Sequence, residues 1–141
     1  MNLEYKCFLQ NELKTALIVS VILMIIGIIA LILPFLFKLE RKYKIIASIL
    51  LIIVVVCSLL YIIPYKKDID EDMLIEFSGE VIVEDVYQGR GTPIRAVFII
   101  SGEKIILNLY DKSTPISLGN HQVHIVYSKY TKYLFEYEVE T

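Results

Sequence analysis

Two long uncharged apolar runs, residues 15–37 and 45–65, dominate the first half of this chain. Neither run contains Asp, Glu, Lys or Arg, and residues 38–44 separate them. As helices they would extend roughly 34 and 31 Å, and a bilayer core is about 30 Å thick. A soluble core helix is usually polar along one face, and a signal peptide has a shorter apolar region. The runs therefore predict a transmembrane helical hairpin over residues 15–65, after an N-terminal tail of residues 1–14.

Basic residues at the ends of the runs predict the orientation of this hairpin. Each outer flank carries two lysines, whereas the short connecting loop carries Lys38, Arg41, Lys42 and Lys44. Cytoplasmic loops of membrane proteins are enriched in Lys and Arg. We therefore predict a multi-pass protein of the cell membrane with its loop in the cytoplasm. Both termini and everything after residue 65 would be extracytoplasmic.

Small side chains recur along one line of each predicted helix. Such residues let membrane helices approach closely, which favours association in lipid. We predict that these stripes pack the two helices against each other, or against a partner helix. The small residues of the two stripes are Ala16, Ser20, Gly27, Ala30, Ala47 and Ser58.

The chain changes character after residue 65. The first 65 residues hold six basic and three acidic side chains, and the remainder holds eight basic and thirteen acidic ones. Residues 66–72 are predicted to form an acidic juxtamembrane linker and residues 73–141 a separate domain. An acidic domain is a poor partner for nucleic acid, because phosphate binding needs clustered Lys and Arg.

Residues 73–141 alternate between apolar and polar side chains and predict five or six short antiparallel strands. The inward faces of three strands are predicted from this alternation. Those faces are Ile105, Leu107 and Leu109; Val123, Ile125 and Tyr127; and Tyr133, Phe135, Tyr137 and Val139. Strands at this spacing favour a small all-β barrel of the oligonucleotide-binding (OB) or SH3 kind, because closure removes exposed edges. A single open sheet covered by the membrane surface is the alternative.

The sequence contains no complete metal-binding or catalytic motif among the patterns considered below. The stretch Asp68–Asp72 begins like an EF-hand loop, but Met73 stands where the turn glycine is needed and Gly79 where the bidentate Glu is needed. His121 and His124 are three residues apart, which places them on opposite faces of a strand. No serine lies in a nucleophile-elbow motif. We therefore predict no catalytic residue, no metal site and no cofactor.

The turns and the apolar–polar alternation of the β-domain carry a resemblance to a known group of proteins. The residues that carry it are Gly79–Val83, Val97 and Phe98 before Gly102, and Gly119 followed by Val123, Ile125 and Tyr127. This pattern resembles the small membrane-tethered β-barrels of bacterial families, including the NfeD type. The resemblance implies an accessory, protein-binding role without catalytic residues.

Surface tyrosines are favoured at protein interfaces, because the ring buries area while the hydroxyl stays hydrated. Tyr87, Arg90, Tyr110 and Tyr130 are the predicted partner-binding residues. The sequence thus predicts a membrane-anchored, non-catalytic protein whose β-domain binds another protein, as an accessory subunit of a membrane complex. Its predicted partners are the bilayer and one protein. The alternative is an immunity protein that protects against a membrane-acting toxin.

Overall fold

The computed structural model describes residues 1–140 and contains two helices followed by five strands. The chain divides into two compact units, Asn2–Asp70 and the segment that begins at Glu71, to which Met1 is assigned. Two long apolar helices and a mostly antiparallel five-stranded sheet confirm the general architecture expected from the sequence. Each unit is described by itself below.

The two helices are longer than the apolar runs. Helix α1 spans Leu3–Leu36 and helix α2 spans Arg41–Glu71. Most residues of the predicted tail and linker are therefore helical. The Asn2 side chain caps α1 by accepting a hydrogen bond from the Glu4 N–H at 2.9 Å. Residues 3–14 contain no Gly or Pro to end a helix, so polarity changes along α1 without a change in backbone.

Both helices are long and apolar enough to cross a membrane. Most of their large apolar side chains are exposed: Ile26 is 57% exposed and Leu60 is 69% exposed. Apolar area on this scale is unfavourable in water and favourable in hydrocarbon, at about 25 cal/mol per Å². The helices therefore have the surface expected of segments whose solvent is lipid.

The small-residue stripes are partly buried. Ala16, Ser20 and Ala47 are at most 8% exposed. At Gly27, an added Cβ would lie 2.8 Å from Leu51 Cδ1, so the two helices meet closely there. The two remaining predicted residues are less buried: Ala30 is exposed, and Ser58 is half-buried.

The five strands are β1 (Leu74–Gln88), β2 (Ile94–Ile100), β3 (Glu103–Leu109), β4 (Gly119–Ser128) and β5 (Tyr133–Val139). The first half of β1 pairs with β4 and its second half pairs with β2, both antiparallel. The strand order is β1-β2-β3-β5-β4, with β3 and β5 parallel. Strand β1 runs without a break through Ser78 and Gly79.

The β-domain core consists of inward-facing aliphatic and aromatic side chains centred on Phe98, which is fully buried. The inward faces predicted for β3 and β4 are correct. The face predicted for β5 is right at Tyr137, which packs against the core, and wrong at Val139, which is 47% exposed. Leu134, predicted to lie on the opposite face, belongs to the core. Val126 pairs with Glu136 and Tyr127 with Leu134, so β5 carries one extra residue, Phe135, and its inward face changes there.

The β2–β3 connection is a two-residue turn, as its sequence indicates. Ser101 has φ 52° and Gly102 has φ 82°, and Ile100 pairs with Glu103 across the turn. Positive φ at both central positions is the type I′ pattern, whose twist matches that of paired strands. The turn fixes the register of β2 and β3, and hence which side chains share their outer face.

Candidate functional site: an apolar outer face of the β-domain

The outer surface of β1, β2 and β3 carries a patch of apolar side chains. Along β2, Ala96, Phe98 and Ile100 point into the core. Strand alternation places Arg95, Val97 and Ile99 on the opposite surface. Both faces of this strand are therefore mainly apolar, which is unusual for a strand with one face in solvent.

Strand pairing brings the outward residues of three strands into rows. Ile82 pairs with Ile99, Tyr87 pairs with Arg95, and Val97 pairs with Ile106. Directly paired side chains lie about 5 Å apart, so these residues form one surface, in which Asp85 on β1 pairs with Val97. We call it the outer apolar face, and it consists of Ile82, Tyr87, Ile99 and Ile106 together with Val97, which is only 6% exposed.

The exposure of this face is substantial at three of its members. Ile82 is 40% exposed, Tyr87 is 39% exposed and Ile106 is 45% exposed. Isolated exposed hydrophobic residues are common on soluble domains, whereas contiguous ones mark interaction surfaces. The face is therefore the best candidate binding surface on the β-domain.

Polar groups border the outer apolar face and are already positioned. The Lys104 ammonium lies 3.1 Å from a carboxylate oxygen of Glu84. The Arg95 Nε donates a hydrogen bond to Asn108 Oδ1 at 3.1 Å, which holds the half-buried guanidinium on the surface. An apolar centre with a polar rim that includes Arg and Tyr is the usual composition of a protein–protein interface.

The four residues chosen from the sequence do not lie together. Tyr87 belongs to the outer apolar face, and Arg90 is exposed in the turn between β1 and β2. The centroid of the Tyr110 ring lies 5.3 Å from that of the Phe135 ring. The Tyr130 hydroxyl donates a hydrogen bond to Glu71 Oε1 at 2.7 Å. Tyr110 and Tyr130 thus make contacts within their own unit, and neither belongs to the outer apolar face.

Sequence reasoning missed Arg95 and the aliphatic members of the face. The signal was present, because residues 94–100 are apolar on both sides of the strand where one side would ordinarily be polar. Arg90 stood out instead because it lies between two glycines in a turn. Turn composition locates a loop, but it does not show which neighbouring side chains form a surface.

A second arrangement lies on the outer surface of β1, β4 and β5. The Ser78 Oγ is 2.7 Å from His124 Nδ1, and His124 pairs in register with Glu138 on its other side. Ser78 and Glu138 are exposed, so water competes for both groups. Water exclusion and a built oxyanion site are what make such a row reactive, and exposed strands provide neither. The row orients the imidazole on the surface.

Three groups of the β-domain have shifted pKa values, and none of them lies in the outer apolar face. Burial raises the pKa of the Tyr127 and Tyr137 hydroxyls, and hydrogen bonds from Ser113 lower the pKa of the Asp111 carboxyl. Neither tyrosine belongs to the outer apolar face. Within residues 1–140, no three His, Cys, Asp or Glu side chains are grouped in a way that could hold a metal ion.

No protein-family model, curated protein or solved structure matches this chain. The resemblance to NfeD-type barrels therefore stays a prediction. The site must be interpreted from its own geometry and chemistry.

Proposed function

We propose that this chain is a multi-pass membrane protein whose β-domain binds another protein through the outer apolar face, with no catalysis of its own. The hairpin anchors the domain, and the bound protein is a component of a membrane complex. The observation that carries the proposal is the contiguous, rimmed apolar surface on β1, β2 and β3. Burying Ile82, Tyr87 and Ile106 on binding removes apolar area from water, which is the main source of binding free energy.

Closure of the sheet into a small barrel of the OB or SH3 kind is part of the proposal. Its support is that every strand pairs with two others, including β4 with β1. A ring of strands leaves no long edge for a partner strand to extend. A partner would then bind the side chains of a sheet face, which directs attention to the outer apolar face.

Site-specific photo-cross-linking in whole cells tests the binding surface. A photoreactive residue replaces Ile106 in one full-length variant and Gln122 in the matched control. Gln122 is also exposed in mid-strand, but it lies on β4 outside the outer apolar face. We expect one adduct of defined mass from position 106 and none from position 122. Adding Arg95→Ala should reduce that adduct at least tenfold, in line with a hot-spot loss of about 1.4 kcal/mol or more.

Two results would overturn this assignment. One is the same adducts from positions 106 and 122, which would show contact without specificity. The other is an adduct at position 106 whose yield is unchanged by Arg95→Ala and by Ile82→Ser together. Near-UV circular dichroism of each variant, dominated by the tyrosines, establishes that the β-domain is folded.

The proposed orientation is tested by labelling introduced cysteines in intact cells. The native Cys7 and Cys57 are first replaced by serine, and single cysteines are then placed at Lys112 and at Lys42. An impermeant maleimide should label position 112 in the β-domain and spare position 42 in the connecting loop. The reverse pattern would place the β-domain in the cytoplasm.

A further inference from the structure

A cavity of about 400 Å³ lies between α1 and α2. Its walls include Glu12, Ser20 and Leu23 from α1, and Val54, Ser58 and Tyr61 from α2. This volume falls in the range of small-molecule pockets, which is roughly 300–1,000 Å³. The cavity belongs entirely to the helical unit and is separate from the outer apolar face.

Two hydroxyl groups in the walls lack the hydrogen bond that such groups normally make in an apolar helix. The Thr15 hydroxyl donates to the Asn11 carbonyl at 3.1 Å, and the Ser48 hydroxyl donates to the Lys44 carbonyl at 2.9 Å. The hydroxyls of Ser20 and Ser58 make no hydrogen bond within residues 1–140. Ser20 is only 8% exposed, and its side chain lines the cavity. A polar group of a ligand in the cavity could form the hydrogen bond that this hydroxyl lacks.

Glu12 provides a carboxylate at one end of the same cavity. It lies four and eight residues before Ala16 and Ser20, so the three share one face of α1. The side chain is half-buried and makes no ion pair or hydrogen bond in the described part of the chain. A half-buried carboxylate is stabilised by a cation or by hydrogen-bond donors. The cavity supplies space for them.

The cavity is polar towards Glu12 and apolar towards Leu23. From Glu12 to Leu23 the distance along α1 is roughly 16 Å, at 1.5 Å per residue. One turn beyond Leu23, Gly27 meets Leu51 and the helices are in contact, which marks the apolar end. A ligand that satisfies both ends must have a polar head and an apolar tail.

The volume favours one alkyl chain over another helix. A helix about 10 Å across would occupy on the order of 1,200 Å³ over the same 16 Å, about three times the space present. The charge of Glu12 favours a cationic head. We propose that the cavity binds a single-chain amphiphile with a primary ammonium head beside Glu12. Its chain passes Ser20 and Ser58 and ends near Leu23.

The two native cysteines provide the assay, since Cys57 lines the cavity and Cys7 does not. Full-length protein in a non-ionic detergent is treated with N-ethylmaleimide, and alkylation of each cysteine is followed by peptide mass spectrometry. Saturating dodecylamine should slow alkylation of Cys57 at least tenfold and leave Cys7 unchanged. A cationic amphiphile that merely coats the micelle would raise the thiolate fraction and speed both reactions. Protection of Cys57 alone therefore reports binding in the cavity.

Head-group chemistry is tested with uncharged dodecanol and with Glu12→Gln. Half-maximal protection by dodecanol should require at least tenfold more amphiphile than protection by dodecylamine. In Glu12→Gln this preference should disappear, whereas the matched variant Glu4→Gln, which changes a carboxylate outside the cavity walls, should retain it. Ser20→Ala should weaken binding of both amphiphiles several-fold.

Three results would overturn the proposal. The first is equal potency of dodecylamine and dodecanol on the unaltered protein. The second is an undiminished amine preference in Glu12→Gln. The third is protection only by a two-chain phosphatidylethanolamine, or by raising the protein concentration without amphiphile, because these would identify a bulk lipid or a second copy as the occupant.

Discussion

The helical hairpin and the β-domain use the same apolar residue types in opposite ways. Leu60 in α2 is 69% exposed, whereas Leu107 in β3 is fully buried. In the hairpin, most apolar side chains point away from the protein, and stability depends on the surrounding medium. In the β-domain they point into a shared core. Hydropathy therefore does not by itself show where a residue is stabilised, and the contrast can be tested with paired substitutions.

The largest expected difference is between Leu107→Ala and Leu60→Ala. Removing the buried Leu107 side chain should cost about 2–5 kcal/mol in the free energy of unfolding, because it leaves a cavity in a packed core. Leu60→Ala should change that free energy by less than about 0.5 kcal/mol. Urea unfolding in mild detergent, followed by near-UV circular dichroism, measures both. Equal effects would show that the two units do not differ in this way.

The next difference concerns a charge on an exposed isoleucine in each unit. Ile26→Arg should impair membrane integration of α1, since Arg near the centre of a span costs about 2.5–3.5 kcal/mol. Ile106 is 45% exposed and Ile26 is 57% exposed, so the two positions are comparable. Ile106→Arg should leave membrane integration unchanged. Since α2 alone could still anchor the chain, alkaline carbonate extraction is carried out on an α1 segment, residues 1–40, fused to a soluble reporter, with and without Ile26→Arg. Equal extraction resistance of the two fusions would contradict a membrane-spanning α1.

A smaller effect is expected at a buried hydroxyl in the β-domain core. The Tyr137 hydroxyl is buried without a hydrogen-bond partner, and its ring packs 6.0 Å from that of Phe98. Tyr137→Phe removes the unsatisfied group and should stabilise the domain by about 1 kcal/mol at pH 7. Tyr87→Phe, on the exposed outer face, is the control and should have no such effect.

The same variant should change the dependence of stability on alkaline pH. Burial raises the pKa of Tyr127 and Tyr137 above the ordinary value of 10.0. The unfolded chain loses these protons first, so stability is full below about pH 10 and falls as the pH rises through the raised folded-state pKa values. Tyr137→Phe should reduce this slope. An unchanged slope between pH 9 and 11 would contradict the assignment.

The smallest prediction concerns the β2–β3 turn. Ser101 has φ 52°, a conformation that asparagine adopts more readily than serine in type I′ turns. Ser101→Asn should raise the stability of the β-domain by about 0.5 kcal/mol and leave the hairpin unchanged. Gly102→Ala should lower it, since Gly102 has φ 82°. Thermal unfolding midpoints of the two variants should therefore move in opposite directions.

Much of the fold was predictable because it depends on local pattern. Uncharged runs located the helices, and period-two alternation identified the inward residues of β3 and β4 correctly. Helix ends were missed because Asn2 is a good N-cap and residues 3–14, which lie outside the apolar run, contain no Gly or Pro. The inward face of β5 changes between Leu134 and Tyr137 at an irregular register that its own sequence does not reveal. A bulge depends on the partner strand, so single-strand patterns cannot locate it.

The candidate sites were less predictable, because each is assembled from several elements. Ile106 was correctly placed on the outer face of β3, but its neighbours on β1 and β2 depend on register. Glu12 lay outside the apolar run and was treated as part of a tail, although its spacing from Ala16 and Ser20 already placed it on the small-residue stripe. The cavity beside it exists only when two helices come together.

The pairing of β3 with β5 has a kinetic consequence. It contains two residue pairs, Asn108 with Tyr133 and Leu109 with Leu134, whereas β1 and β4 share ten. Opening that short ladder breaks few hydrogen bonds, so it should occur far more often than global unfolding. In hydrogen–deuterium exchange, the amides at this junction should exchange well before those of β4. Local opening of the domain would then start between β3 and β5, while β5 stays paired with β4 through its longer ladder.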